Sequence, residues 1–250
     1  MNNRATFLST LTGVLMLFAI WQILSVVVDR PILPSPIVVV PLFLRGMCGE
    51  LGLHFLASSA RVLAAVILAT IFAAPLGLLL GQMPKIDRVV GPLIAIIYPI
   101  PKIIFLPVIY VLMGISDFSK ITLIAIIIFF QILVVVRDEA SGLRKELILS
   151  VKSLGAGRRA LFRYVYLPAS LPAVLTALRV SVGTAVAVLF IAEQSLTSYG
   201  LGYYIVIETY QVLLYKEMYA GIMGMGLLGV LLYFAIYTIE RKVSKHLFIQ

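Results

Sequence analysis

Residues 7–28 read FLSTLTGVLMLFAIWQILSVVV and contain no charged side chain. A helix crosses the hydrocarbon core of a bilayer with about 20 consecutive apolar residues. The apolar stretch of a cleavable signal peptide is shorter than this one and ends in a cleavage site of small residues, which this segment lacks. We therefore predict that residues 7–28 form a retained transmembrane helix.

The composition of the whole chain indicates that lipid is its main solvent. Of its 250 residues, 62% are hydrophobic and 12% are charged, and the mean hydropathy is +1.09. Soluble domains carry about 25% charged residues, so this chain has too few polar side chains to face water all round. The net charge of +9 does not indicate nucleic-acid binding, because the Lys and Arg residues lie between apolar runs rather than in one water-facing cluster.

Five further runs are long and apolar enough to cross a membrane. We place them at about residues 56–81, 89–113, 119–136, 171–192 and 218–239, with a short helix near 37–47 after the first crossing. The sequence thus predicts an all-α protein of six transmembrane helices in one domain over residues 1–250. In the second helix, Ala73, Gly77 and Gly81 recur at i, i+4 and i+8, which predicts a close helix–helix contact.

The distribution of positive charge predicts the orientation of these helices. With the N-terminus inside, thirteen of the 20 Lys and Arg residues lie in inside segments and four lie in outside segments. Cytoplasmic loops carry the excess of Lys and Arg, so both termini are expected in the cytoplasm. The remaining three cations fall within the spans: Arg61, Lys102 and Arg179.

Residues 137–168, which we call the docking segment, are the most charged part of the chain and are predicted to be cytoplasmic. Leu147, Val151 and Leu154 form an apolar stripe on a short helix. Gly155 follows as a left-handed cap, and a second short helix is expected near 158–166. Two short helices around a glycine suit either a knob that contacts a partner or a solvated loop that covers the helix ends.

The docking segment resembles the Glu-Ala-Ala (EAA) loop of bacterial ATP-binding cassette (ABC) importer permeases. Gly155 is followed by nine residues and then by Val165-Tyr166-Leu167-Pro168, in the register of that loop, whereas Leu149-Ser150-Val151 replaces the Glu-Ala-Ala triplet. Other stretches add to the likeness over about residues 30–210. They resemble the nitrate/sulfonate/taurine branch of the family and include Leu33-Pro34-Ser35-Pro36, Pro99-Ile100-Pro101 and Gly200-Leu201-Gly202-Tyr203.

The resemblance implies a type I importer permease in the bacterial inner membrane, working by alternating access. Two permease subunits, most simply a homodimer, would sit on two cytoplasmic ATPases, and an extracytoplasmic binding protein would deliver the solute. ATP and Mg²⁺ would be bound by the ATPases, because this chain has no Gly-x4-Gly-Lys-Ser/Thr loop. The implied solute is a small anion such as a sulfonate, taurine or nitrate, and related permeases carry pyrimidine vitamin precursors.

The resemblance also assigns the docking segment to the coupling helix that fits a cleft on each ATPase. Small residues around Gly155 allow close backbone approach, and the two arginines that follow can pair with acidic groups. The residues expected to couple to the ATPase are Val151, Leu154, Gly155, Ala156, Gly157, Arg158, Arg159, Phe162, Leu167 and Pro168.

A second set of residues is expected to line the translocation pathway. Prolines in the third helix free backbone carbonyls, which a membrane tolerates only where they face protein or a wet cavity. Charged groups within spans are costly and usually functional, although a packed kink, a snorkelling arginine and an interfacial glutamate are the structural alternatives. The set comprises Tyr98, Pro99, Pro101, Lys102, Arg179, Glu193 and Gln194.

Two other classes of function remain as alternatives. A secondary transporter or channel without an ATPase would need ion-coupling acids in the bundle, and Glu193 is the one candidate. An intramembrane enzyme would need a catalytic set within the spans, and the sequence offers neither a Ser/His/Asp nor a paired-Asp arrangement. The lone Cys48 and the distant His54 and His246 show no metal-ligand spacing.

Overall fold

The structure, a computed structural model, describes residues 3–143, 145–194 and 196–243, and these residues contain helices and connecting turns but no strand. The helices are α1 (Asn3–Val28), α2 (Pro36–Met47), α3 (Glu50–Gln82), α4 (Pro84–Ile97), α5 (Leu106–Met113), α6 (Asp117–Ser141), α7 (Lys145–Ser153), α8 (Arg158–Leu161), α9 (Leu167–Glu193), α10 (Leu201–Tyr203) and α11 (Tyr215–Val243). A 3-10 turn (Lys102–Phe105) precedes α5, and π-helical turns occupy Phe162–Tyr166 and Tyr204–Tyr210.

The long helices extend beyond the apolar runs that predicted them. The prediction began the second crossing at residue 56, whereas α3 begins at Glu50. The prediction for the next long helix was 119–136, whereas α6 starts at Asp117 after Ser116, whose side chain accepts a hydrogen bond from the backbone N–H of Ser119. Hydropathy marks the part of a helix that suits lipid, and the helical hydrogen bonds continue through the polar ends.

Four helical stretches are long and apolar enough to cross a membrane. They are α3, α6, α11 and the run Arg159–Glu193, which contains α9. A fifth crossing is obtained if α4 and the Lys102–Met113 stretch, which are bent by 81° at their junction, form one broken span. The apolar part of α1, Thr12–Val28, is shorter. The prediction of a broken third crossing agrees with this bend.

The chain divides into two compact units. One comprises residues Met1–Ser58 and Glu193–Leu227, and the other Ser59–Ala192 and Leu228–Gln250. In the first unit, the Trp21 indole N–H donates to the carbonyl of Pro34 at 3.0 Å and its ring stacks on Tyr219 at 5.5 Å. In the second unit α6 is the central helix, with five large aliphatic side chains almost fully buried: Leu123, Ile124, Ile128, Ile132 and Leu133.

The predicted small-residue contact of α3 is present and its partner is α6. Ala73 is fully buried. A Cβ added at Gly77 would lie 2.9 Å from the carbonyl oxygen of Leu133, and one added at Gly81 would lie 2.5 Å from that of Arg137. The two backbones therefore approach too closely for any larger residue, and the stripe is a packing device.

Candidate functional site: the docking segment, the broken span and the buried charges

The tip of the docking segment is an exposed apolar knob. Gly155 follows α7 with φ of +83°, the left-handed conformation that the sequence predicts. Leu154 beside it is 85% exposed, and Leu149 on α7 is 60% exposed. Neither leucine lies in a candidate membrane span. Apolar side chains gathered on a water-facing surface indicate a protein contact.

The remaining coupling residues lie on either side of this tip in the sequence. Those with exposed positions are Gly157, Arg159, Phe162, Leu167 and Pro168, while Val151 and Ala156 are half-buried. The side chain of Arg158 lies outside the described residues. Leu161 and Val165 turn inward and are 5% and 3% exposed, so they hold the segment while its other face remains open. No described atom lies within 4 Å of a Cβ placed at Gly155 or Gly157.

The broken span is capped by its own lysine. The Lys102 ammonium donates to the carbonyl oxygens of Ile97 at 3.1 Å, Tyr98 at 2.9 Å and Ile100 at 3.2 Å, and lies 4.5 Å from the centre of the Phe130 ring. Three N–H donors thus meet three carbonyls at the break, where the helical hydrogen bonding is interrupted. Lys102 is 9% exposed, and its place in the solute pathway stays a prediction.

The other two cations within the spans have carboxylate partners. Arg61 is 2% exposed, and its Nε and one terminal nitrogen lie 2.9 Å and 2.7 Å from Oδ1 of Asp117. Arg179 donates from Nε to Glu240 at 2.8 Å and from a terminal nitrogen to the Tyr233 hydroxyl at 3.1 Å. The sequence interpretation missed Asp117 and Glu240. Arg179 is held in a neutral pair with Glu240, and its assignment to the pathway stays a prediction.

Glu193 is an internal anchor. Its carboxylate is fully buried, lies 2.9 Å and 2.7 Å from the Ser58 hydroxyl through its two oxygens, and accepts the Gly202 N–H at 3.0 Å. The same hydroxyl accepts the Leu201 N–H at 2.8 Å. These bonds tie the start of α10 to α3, and the place of Glu193 in the translocation pathway stays a prediction. Gln194, which follows it, is half-buried.

His54 lies beside this anchor in a defined tautomer. Its Nδ1 accepts the backbone N–H of Gly200 at 2.9 Å, so the ring proton sits on Nε2, 3.3 Å from Oε2 of Glu208. Burial raises the pKa of the Glu208 carboxyl, and Glu50 raises it further, while His54 opposes the shift. These three side chains converge closely enough to hold a metal ion. However, Nε2 would have to lose its proton first, so we interpret the cluster as a hydrogen-bonded brace.

We expect Glu208→Leu to lower the free energy of unfolding by about 1–2 kcal/mol, because the buried Nε2–H of His54 loses its acceptor. Glu208→Gln keeps an amide oxygen in the same place and is expected to cost less than half as much. Thermal unfolding of both purified variants, followed by helical circular dichroism, measures the difference. Equal losses would contradict the hydrogen bond and would favour a carboxylate that ligates a metal.

The chain belongs to the family of binding-protein-dependent transport system inner membrane components, which matches residues 65–245. The match includes the whole docking segment and the broken span. It confirms the importer-permease resemblance drawn from Gly155 and the Leu167-Pro168 pair.

Two relatives and one solved structure illustrate the likeness. The taurine transport system permease protein TauC of Escherichia coli (strain K12) is 28% identical over 249 residues, covering 97% of this chain and 90% of that protein. The formylaminopyrimidine transport permease protein ThiX of Halalkalibacterium halodurans is 29% identical, covering 91% of each chain. An inward-facing structure of the MetNI methionine ABC transporter matches with a TM-score of 0.68 at 23% identity, covering 79% of this chain and 97% of that chain. The last likeness shows the fold.

Proposed function

We propose that this chain is the permease subunit of an ABC importer for a small anion of the sulfonate type. The main support for an ATP-driven mechanism is the Leu154–Gly155 tip, which is an exposed apolar knob outside every candidate span. A partner that covers this knob must lie in the water next to the membrane. Family membership favours a cytoplasmic ATPase as that partner. Closure of two such ATPases around ATP and Mg²⁺ would then move the docking segment.

The proposed topology has six crossings with both termini in the cytoplasm. The five crossings that length and hydropathy support become six when α1, which is helical over Asn3–Val28, also spans the bilayer. Thirteen Lys and Arg residues then lie inside against four outside. The docking segment is cytoplasmic in this arrangement, as ATPase contact requires.

The break between α4 and α5 is the proposed wall of the pathway. Tyr98 is 44% exposed, and Pro99 and Pro101 are also exposed. Non-helical backbone at membrane depth is tolerated against protein or in a water-filled cavity, and not against lipid tails. A second permease subunit facing this break would enclose such a cavity, which favours a homodimer with the solute passing between the two broken spans.

The solute class is proposed from the relatives, one of which is named for taurine. We expect proteoliposomes that contain this chain, its ATPase and its binding protein to accumulate radiolabelled taurine or an alkanesulfonate only when ATP is supplied. Vesicles without the binding protein are the control. Uptake that persists without ATP would favour a secondary transporter, and selective uptake of formylaminopyrimidine would favour the second candidate, which the likeness to ThiX supports.

A further inference from the structure

An apolar groove follows α3 on the surface of the unit that begins at Ser59. It has a volume of about 740 Å³ and is lined by side chains of α3, such as Leu68 and Phe72, and of α6, such as Ile126 and Phe129. Phe72 is 61% exposed and Ile126 is 39% exposed. Both helices are candidate membrane spans, so the groove opens toward hydrocarbon.

A second cavity, of about 590 Å³, lies where α3 ends. Its lining includes Gln82 at the end of α3, Lys85 at the start of α4, Lys152 on α7 and Tyr166. Both lysines are exposed, and neither forms an ion pair with any residue in the described ranges. The Gln82 side-chain nitrogen is buried and has no hydrogen-bond partner among the described atoms. Two cations and an unused amide donor define a site for an anion.

The groove and the cavity are continuous, because Pro75 and Leu79 line both. From Leu68 to Leu79 the helix rises about 16 Å at 1.5 Å per residue. That length matches one leaflet, which is half of the roughly 30 Å hydrocarbon core. The combined site therefore has an apolar part as long as an acyl chain and a basic end at the level of a headgroup.

We propose that this combined site binds one phospholipid with an anionic headgroup. The phosphate lies between Lys85 and Lys152 and accepts the free Gln82 N–H, while one acyl chain occupies the groove along α3. A second copy of the chain would also fill the apolar groove, but it would not supply the anion that the two ammonium groups attract. Basic pockets at the ends of membrane helices are typical sites for anionic lipids.

The bound lipid would brace the docking segment. Its headgroup joins α3, α4 and α7 through three side chains, and Tyr166 lies in the same cavity wall. The position of α7 therefore depends on the lipid as well as on packing. Only the assignment of this lipid to the cytoplasmic leaflet rests on the proposed function; the binding site itself does not.

Native mass spectrometry of the purified full chain tests the proposal. The wild type is expected to retain phosphatidylglycerol in preference to phosphatidylcholine with the same acyl chains. The Lys85→Gln/Lys152→Gln double variant is expected to bind phosphatidylglycerol about 30-fold more weakly, since each lysine near the surface contributes about 1 kcal/mol. The matched control is Lys216→Gln, a lysine that lines a different cavity, and it should leave the preference unchanged.

A variant in the groove tests binding of the acyl chain separately from binding of the headgroup. Ile126→Trp fills the groove and is expected to remove the advantage of long-chain over short-chain phosphatidylglycerol while both lysines remain. Equal binding of the two headgroups, or an unchanged preference in the double lysine variant, would overturn the proposal. Conversion of a permease dimer to monomers by Ile126→Trp would assign the groove to a second copy instead. None of these readouts depends on transport, so they remain valid if the proposed solute or partner is wrong.

Discussion

Leu154→Asp is expected to abolish ATP-driven uptake while leaving the protein in the membrane. Leu154 is 85% exposed at the tip of the docking segment and makes no contribution to the core. Burial of a leucine contributes about 1.5–3 kcal/mol, and a buried unpaired carboxylate would add a further penalty. Association with the ATPase should therefore weaken by about 100-fold or more. Co-purification of the tagged permease with its ATPase, together with vesicle uptake, measures both effects.

Leu154→Asp tests the ATPase contact more specifically than any substitution at Gly155. The φ of +83° at Gly155 strains every L-residue, so a Gly155 variant would mix a conformational effect with a contact effect. Val212→Asp is the matched control, because Val212 is 58% exposed and also lies outside the candidate spans. It should retain the ATPase, because the proposed topology places Val212 on the opposite side of the membrane. Normal uptake by Leu154→Asp would exclude the tip as the coupling contact.

Gly81→Ala is expected to destabilise the fold strongly, although it adds a single methyl group. The new Cβ would lie 2.5 Å from the Arg137 carbonyl oxygen and 2.6 Å from the Ala140 Cβ, both on α6. These atoms belong to the helix itself and cannot rotate away as the end of a flexible side chain could. The free energy of unfolding should fall by about 3 kcal/mol, which is in the upper part of the usual range for overpacking. That is a large share of a total stability of about 5–15 kcal/mol.

Gly183→Ala in α9 is the matched control, because no described atom lies within 4 Å of its added Cβ. It should leave stability unchanged or raise it by up to about 1 kcal/mol through helix propensity. Membrane yield and the temperature of half-unfolding in detergent compare the two variants. If both alanine variants unfold at the same temperature, the α3–α6 contact is looser than the structure indicates.

The sequence predicts those features that arise from local patterns. Runs of apolar residues indicate where lipid surrounds a helix, and i, i+4, i+8 spacing indicates where Gly77 and Gly81 meet a neighbour. The left-handed turn at Gly155 follows from a glycine placed where the apolar stripe of the short helix ends. Lys102 could have been assigned the same way, because Pro99 and Pro101 predict an interrupted helix just before it and a lysine there can cap the carbonyls at the break.

The buried pairs could not be predicted by spacing because their partners are distant in sequence. Ser58 and Glu193 are separated by 135 positions, and Arg179 and Glu240 by 61. What the sequence does contain is the energetic requirement that an ion in a membrane span has a partner. That requirement indicates that Arg61 and Arg179 need carboxylates, but not that Asp117 and Glu240 provide them. Only the three-dimensional arrangement of the helices settles that choice.

The cap of the broken span has an electrical consequence. Arg179 contacts the carboxylate of Glu240 and forms a neutral pair, whereas the described contacts of Lys102 are carbonyl dipoles and aromatic rings. Dipoles stabilise a cation without cancelling its charge. Moving one elementary charge across a membrane with a potential of 100 mV changes its electrostatic energy by about 2.3 kcal/mol. Any motion of this break along the membrane normal therefore performs work in the transmembrane field, whereas motion of the Arg179–Glu240 pair does not.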